Sequence, residues 1–245
     1  MNAAGAESPE GREPDDRLPE SACGPGCACT VGNEFGEATA RGDLRSYRKS
    51  GPAGTTRWLL EGLSGSGVDG LSVLDIGAGI GAVHLELLKA GAASAVDIDG
   101  SPAYVTVARE EAARQGLANR VSYQVGDFVS LAPSIAPADL VVLDRVVCCY
   151  PDMNALVRQS VARARLRYGL VYPRDAWWIR AGGATLNGLA RLARRRVRAY
   201  VHRNAEVDAI VRGAGFVPTL RRSNLFWRVA VYARADLLEP MDRRA

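Results

Sequence analysis

The chain has 245 residues, 47% of them hydrophobic and 24% charged, with a formal net charge of +4 at pH 7. That supplies one large core with an extension and is too apolar for a wholly disordered chain. No apolar run reaches about eighteen residues, and the five cysteines are an odd number, so neither a membrane-spanning helix nor a closed disulfide framework is expected.

Residues 1–33 are rich in Pro, Gly, Glu, Asp and Ser and poor in large apolar groups, which predicts a flexible leader. The opening MNAAGAESPEGREPDD lacks the charged-then-apolar layout of an export signal, so a cytoplasmic protein is expected. Within the leader, CGPGCAC spaces Cys23, Cys27 and Cys29 as C-x3-C-x-C, unlike the C-x2-C pairs of zinc modules. These three are candidate soft-metal ligands, with Cys148, Cys149 or a histidine as a fourth; free thiols are the plainer reading.

Residues 34–66 read as a helical entry segment of one or two short helices broken at Gly51-Pro52, with Trp58, Leu59, Leu60 and Leu63 on an apolar side. From residue 67 to 235, strands and helices alternate. LSVLD is a strand and IGAVHLELLKAG a helix closed by Gly91; AASAVDID is a strand. SPAYVTVAREEAARQG follows as a helix with Ser101 at its cap and Pro102 at its first position. VSYQVGD and ADLVVLD are strands, DMNALVRQSVARAR a helix, and YGLVYPRD a fifth strand. This rhythm predicts a parallel sheet covered on both faces, whose buried strands run apolar without alternation.

From Trp177 to about Val211, within an insertion spanning 176–213, the chain turns helical and basic. Leu186, Leu189, Ala193, Val197 and Tyr200 fall on one side and Arg191, Arg194, Arg195, Arg196 and Arg198 on the remainder. AGFVPTLRRS and LFWRVAVYAR close the domain as a hairpin at one edge of the sheet, and residues 236–245 form a tail. The arginine surplus between Arg158 and Arg234 suits an anionic small molecule, nucleic acid or an anionic membrane surface; the bland reading is a solvated face.

The chemistry centres on VLDIGAGIG. Gly77, Gly79 and Gly81 follow at steps of two, with Asp75 just before them. A pyrophosphate-binding turn is spaced G-x-G-x-x-G, and a carboxylate beside a diphosphate would repel it, whereas it suits a ligand with an ammonium group and no phosphate. A nicotinamide-dependent oxidoreductase is the alternative on this turn.

Here the sequence resembles the class I S-adenosylmethionine (SAM)-dependent methyltransferases over roughly residues 55–233. The resemblance implies a Rossmann-like, seven-stranded, mostly parallel sheet with helices on both faces and an antiparallel closing hairpin. It implies SAM as cofactor, with Asp75 serving the methionine end and Gly77, Gly79 and Gly81 allowing close backbone approach. It also implies Asp97 on the ribose hydroxyls with Ile98 beside it, Asp127 and Phe128 at the adenine, and Asp144 at the mouth of the site. Asp99 competes with Asp97, which is preferred as lying nearer the strand end.

No NPPY or DPPY follows the fourth strand, where DRVVCCYP stands instead, and the Pro-Cys pair of cytosine-C5 enzymes is absent. SYRKSGPAGTTRWLL, HRNAEVDAIVRGAGF and LFWRVAVYAR are loosely similar to the magnesium-protoporphyrin O-methyltransferase branch, which methylates a carboxylate. The expectation is therefore an O-directed methyltransferase for a small-molecule acceptor. Tyr47, Arg48 and Arg145 are substrate candidates, and His202 or Tyr150 the base for a hydroxyl acceptor. Of the two histidines, His84 is expected to pack or cap. RNA methylation by the arginine-rich helix is the second reading, and contact with a membrane periphery through Trp177, Trp178 and that helix a further one.

Overall fold

The computed structural model describes residues 35–192 and 199–238. The expected leader with Cys23, Cys27 and Cys29, the positions Ala193, Arg194, Arg195, Arg196, Val197 and Arg198, and most of the tail lie outside the described residues.

Two helices come first, α1 (Glu37–Ser50) and α2 (Gly54–Ser64), parted at Gly51-Pro52 as the sequence predicts. The alternation follows: β1 (Ser72–Ile76), α3 (Ala82–Lys89), β2 (Ser94–Asp99), α4 (Pro102–Arg114), β3 (Val121–Val125), α5 (Phe128–Leu131), β4 (Ala138–Asp144), α6 (Met153–Val161) and β5 (Ala164–Pro173). Then come α7 (Trp177–Leu192), α8 (Asn204–Gly213) and the hairpin β6 (Phe216–Ser223) and β7 (Trp227–Arg234). The seven strands lie in the order β3-β2-β1-β4-β5-β7-β6, with β7 antiparallel to both neighbours and the other pairings parallel. This is the α/β architecture expected from the sequence.

Two apolar clusters sandwich the sheet. One joins α1, α2, α3 and α4 through Leu44, Leu59, Leu63, Leu85, Leu88 and Val107. The other joins α5, α6 and α8 through Phe128, Leu156, Val157, Val207 and Val211. At Gly169 on β5 an added Cβ would lie 2.7 Å from a Leu59 methyl, so α2 rests almost directly on strand backbone.

Two expectations are corrected. The helix over DMNALVRQSVARAR stops at Val161 and the next strand begins at Ala164, because those residues pair with β4 from Ala138 onward. The basic helix does not bury its leucines, and no residue of α7 is fully buried. On its half-buried side Asn187 Nδ2 donates to the Ala199 carbonyl and Asn187 Oδ1 accepts from the Ala199 amide. Tyr200 falls after the helix, in the link to α8.

Candidate functional site

The C-terminal ends of β1, β2, β3 and β4 converge at the glycine turn, the position at which an open parallel sheet binds ligands. Gly77, Gly79 and Gly81 all take left-handed φ, at 62°, 58° and 80°. A Cβ on Gly77 would meet a Val146 methyl at 2.5 Å, and one on Gly81 would meet the His84 ring at the same distance, so turn and neighbours are fitted to glycine.

The acids around the turn divide into two kinds. Asp75 is buried, its Oδ2 accepting from the His84 amide at 3.3 Å and facing His84 Nδ1 at 3.0 Å, while its Oδ1 has no protein partner. Asp99 accepts from the Gly79 amide at 2.9 Å through Oδ2 and from the Ser101 amide at 2.8 Å through Oδ1. Carboxylates thus already occupy amides of the turn and of the first turn of α3, where an anion would otherwise bind.

Asp97 differs from both. It is fully buried, in register with Asp75 on one side and Tyr123 on the other, and neither of its oxygens has a partner. Burial, reinforced by the Asp75 and Asp99 charges, pushes its carboxyl well above the usual carboxylate range. The reason for preferring Asp97 fails, because β2 runs through Asp99, which is the strand-terminal acid and is partly exposed. Ile98 between them is buried in the core beneath the sheet.

Asp127 caps α5, accepting from the Ser130 amide at 3.0 Å, and also accepts from Tyr150 Oη at 2.8 Å. Phe128 is buried in the second cluster. Asp144 accepts from Thr56 Oγ1 at 2.6 Å and from Arg145 Nε at 3.1 Å, tying α2 to the end of β4. Sequence reasoning missed Thr56, since nothing in GTTRWLL marks which threonine faces an acid 88 residues away. Arg145 is the one non-glycine residue with positive φ among the described residues, at 64°, and its side chain is 45% exposed.

The remaining site candidates separate. Tyr47 Oη donates to Glu86 Oε1 at 2.6 Å, and Arg48 donates to the buried Glu111 at 2.6 Å, so both are engaged with α3 and α4. Tyr150 and His202 do come together: a His202 ring nitrogen lies 3.1 Å from the Tyr150 carbonyl, and the Tyr200 amide donates to the Cys148 carbonyl at 2.7 Å, whereas the Arg145 side chain is engaged with Asp144. Burial and the bond to Asp127 push the Tyr150 hydroxyl upward, which keeps it protonated and unsuited to act as a base. His84 packs and bonds as expected, with Nε2 buried and unpartnered.

A family model described as a methyltransferase domain matches residues 73–165. Curated relatives include the ribosomal protein L11 methyltransferases of Enterobacter sp. (strain 638), 36% identical over 88 residues, and of Haemophilus influenzae (strain PittEE), 34% identical over 107 residues. These matches cover 36% and 44% of this chain but only 29% and 35% of the relatives, so the chain spans about a third of their length. Among solved structures, magnesium protoporphyrin IX methyltransferase from Synechocystis PCC 6803 with bound SAH aligns with a TM-score of 0.63 at 20% identity. It covers 82% of this chain and 97% of that one. A sarcosine dimethylglycine methyltransferase homologue from Galdieria sulphuraria aligns at 0.59 and 13% identity, covering 74% and 86%. These likenesses show a shared fold.

Proposed function

We propose that this chain, which carries the class I SAM-dependent methyltransferase fold and matches the methyltransferase-domain family over residues 73–165, methylates an oxygen of a small acceptor molecule. The observation that carries this reading is the pair of carboxylates on the turn: Asp99 takes the Gly79 amide and Asp75 the His84 amide. A diphosphate would meet both negative charges, whereas a cationic, phosphate-free nucleoside is attracted by them. The same electrostatics speak against the nicotinamide alternative.

When bound, SAM supplies an electrophilic methyl group on a sulfonium. The chain's own residues do the holding and orienting. Asp99, reachable at the strand end, is assigned to the ribose hydroxyls, with the unpartnered carboxyl of Asp97 directly behind it on the same face of β2. Asp75 acts through His84 and the turn. Asp127 lies at the end of β3 for the adenine edge, and Asp144 with Thr56 sets the floor of the mouth.

A carboxylate acceptor suits this mouth better than a hydroxyl. Arg145 presents a half-exposed guanidinium for charge-assisted binding of an acid. Tyr150 is held protonated, and His202, whose Nε2–H donates to the Tyr150 carbonyl, is left as the one base candidate through its other ring nitrogen. A carboxylate needs no base; a hydroxyl does.

One surface bears on partners. Trp177, Leu186, Leu189 and Leu192 on α7 are 80%, 58%, 60% and 84% exposed, alongside Leu225 and Phe226 of the hairpin loop. An apolar stripe flanked by Arg180 and Arg191 fits the interface of an anionic bilayer and is superfluous for tracking phosphates, so peripheral membrane contact is favoured over nucleic acid. Among the described residues no helix is long and apolar enough to cross a membrane.

Calorimetry with SAM, its demethylated product and NAD, followed by methyl transfer to a panel of carboxylic acids and their alcohol counterparts, tests the reading. SAM and product binding with transfer to acids is expected. Tight NAD binding without a SAM response would overturn it.

A further inference from the structure

Cys148 and Cys149 are adjacent in the sequence and face one another, with Sγ atoms 3.6 Å apart. Two thiolates on one soft centre at about 2.3 Å and a tetrahedral angle stand about 3.8 Å apart, so the pair is already at chelating distance. Cys149 is exposed and Cys148 partly so.

The short turn that carries them is pinned from several sides. The Cys149 amide donates to the Val146 carbonyl at 2.9 Å, and Val146 lies against Gly77 of the glycine turn. The Tyr200 amide holds the Cys148 carbonyl, and Tyr150 Oη is tied to Asp127. Cys148 Sγ also lies 3.1 Å from the Arg145 carbonyl. The two sulfurs are therefore presented by a fixed backbone, between the cofactor turn and the segment that brings in His202.

The chemistry around them limits the ligand. Among the described residues no group of three or more His, Cys, Asp or Glu side chains is placed to hold a metal ion. Zinc and its relatives ask for four ligands in a structural site or three in a catalytic one. The two thiols that the described residues supply suit a centre with two exchangeable valences. The nucleophile is also present: the bond from Cys148 lowers the Cys149 thiol below the usual thiol range, while the same bond and burial push Cys148 up.

We propose that Cys148 and Cys149 form a dithiol site for a trivalent thiophilic compound, of the mono-organic arsenic(III) type, at the acceptor mouth. Binding of such a compound, R–As(OH)2, forms two As–S bonds and breaks two As–O bonds. The two thiol protons leave with the two hydroxides as two waters, and no electrons are transferred. The bound group stands over the mouth and shuts out an acceptor. That last consequence rests on the methyltransferase reading; the chelation does not.

The test uses the 245-residue chain with Cys23, Cys27 and Cys29 replaced by Ser, so that of its five cysteines only this pair remains. It is titrated with phenylarsine oxide and read by intact mass and by thiol counting, neither of which depends on methyl transfer. One adduct per chain, loss of both free thiols, release by a dithiol and resistance to an equal concentration of a monothiol are expected. C149S, a change at an exposed position, and separately C148S should each weaken retention at least tenfold in monothiol. Absence of the adduct, or monothiol resistance in either single variant equal to that of the pair, overturns the proposal.

Discussion

Asp97 and Asp99 lie two residues apart on one strand face, yet one has no hydrogen bond and the other has two. If Asp99 holds the ribose, D99N should weaken SAM binding by about 1–3 kcal/mol, or roughly 5- to 150-fold, through loss of charge-assisted bonds. D97N should weaken it less, which calorimetry on both variants will decide. Asp97 also carries a stability signature. Its folded-state pKa is raised, so its contribution is fully present below the unfolded pKa and is lost as pH rises through the folded one. D97N should therefore raise the melting temperature of the ligand-free protein at pH 8 and leave it unchanged at pH 4. Glu111 behaves oppositely. Hydrogen bonds from Arg114 and Arg48 hold its carboxyl down to about 2, so its contribution is present above the unfolded value near 4.5 and lost as pH falls toward 2. E111Q should cost on the order of 2 kcal/mol at neutral pH, after allowance for half-exposed arginine partners, and nothing near pH 2, as denaturant melts will show. The acids at the strand ends were legible in the sequence because each closes an apolar run. Their division of labour was not, since it depends on which carboxylate finds an amide, as Asp99 does at Gly79.

Caps and breaks are legible in the sequence because they are local. Ser101 accepts from the Tyr104 amide ahead of Pro102, and Gly51-Pro52 separates two helices, because such signals act over a few residues. The start of β5 is ambiguous in the sequence because Ala164–Arg167 alternates over only four residues and also continues the helical pattern of the segment before it. Pairing with β4 holds that stretch, and Arg167 Nη1 donates to the Gly67 carbonyl at 2.7 Å from a distant linker. The seating of α2 was half legible: Leu59 and Leu63 are buried as predicted, but the glycine beneath them, Gly169, lies over a hundred residues on. Gly169→Val should cost about 1–3 kcal/mol by overpacking against Leu59 and Leu63, measured by urea denaturation. A loss well under about 1 kcal/mol would mean α2 shifts freely on the sheet.

At the scale of the molecule, the overall fold followed from the order of the elements, whereas the attitude of α7 did not. An amphipathic pattern says which residues share a side and is silent on whether that side meets core or surroundings. With its leucines outward, α7 should bind vesicles containing phosphatidylserine and not neutral ones, and L186S/L189S should reduce co-sedimentation severalfold. Unchanged binding by that double variant would assign the attraction to charge alone. That charge is unevenly spread: among the described residues, 174–192 and 199–234 hold nine arginines against three acids, and they supply α7, α8 and the closing hairpin at one end of the sheet. Ion-exchange resins sense the most charged flank of a molecule before its average. This chain should accordingly be retained on a sulfonated column even in buffer above its isoelectric point of about 8.9, turning that flank to the matrix and its opposite flank to the solvent stream.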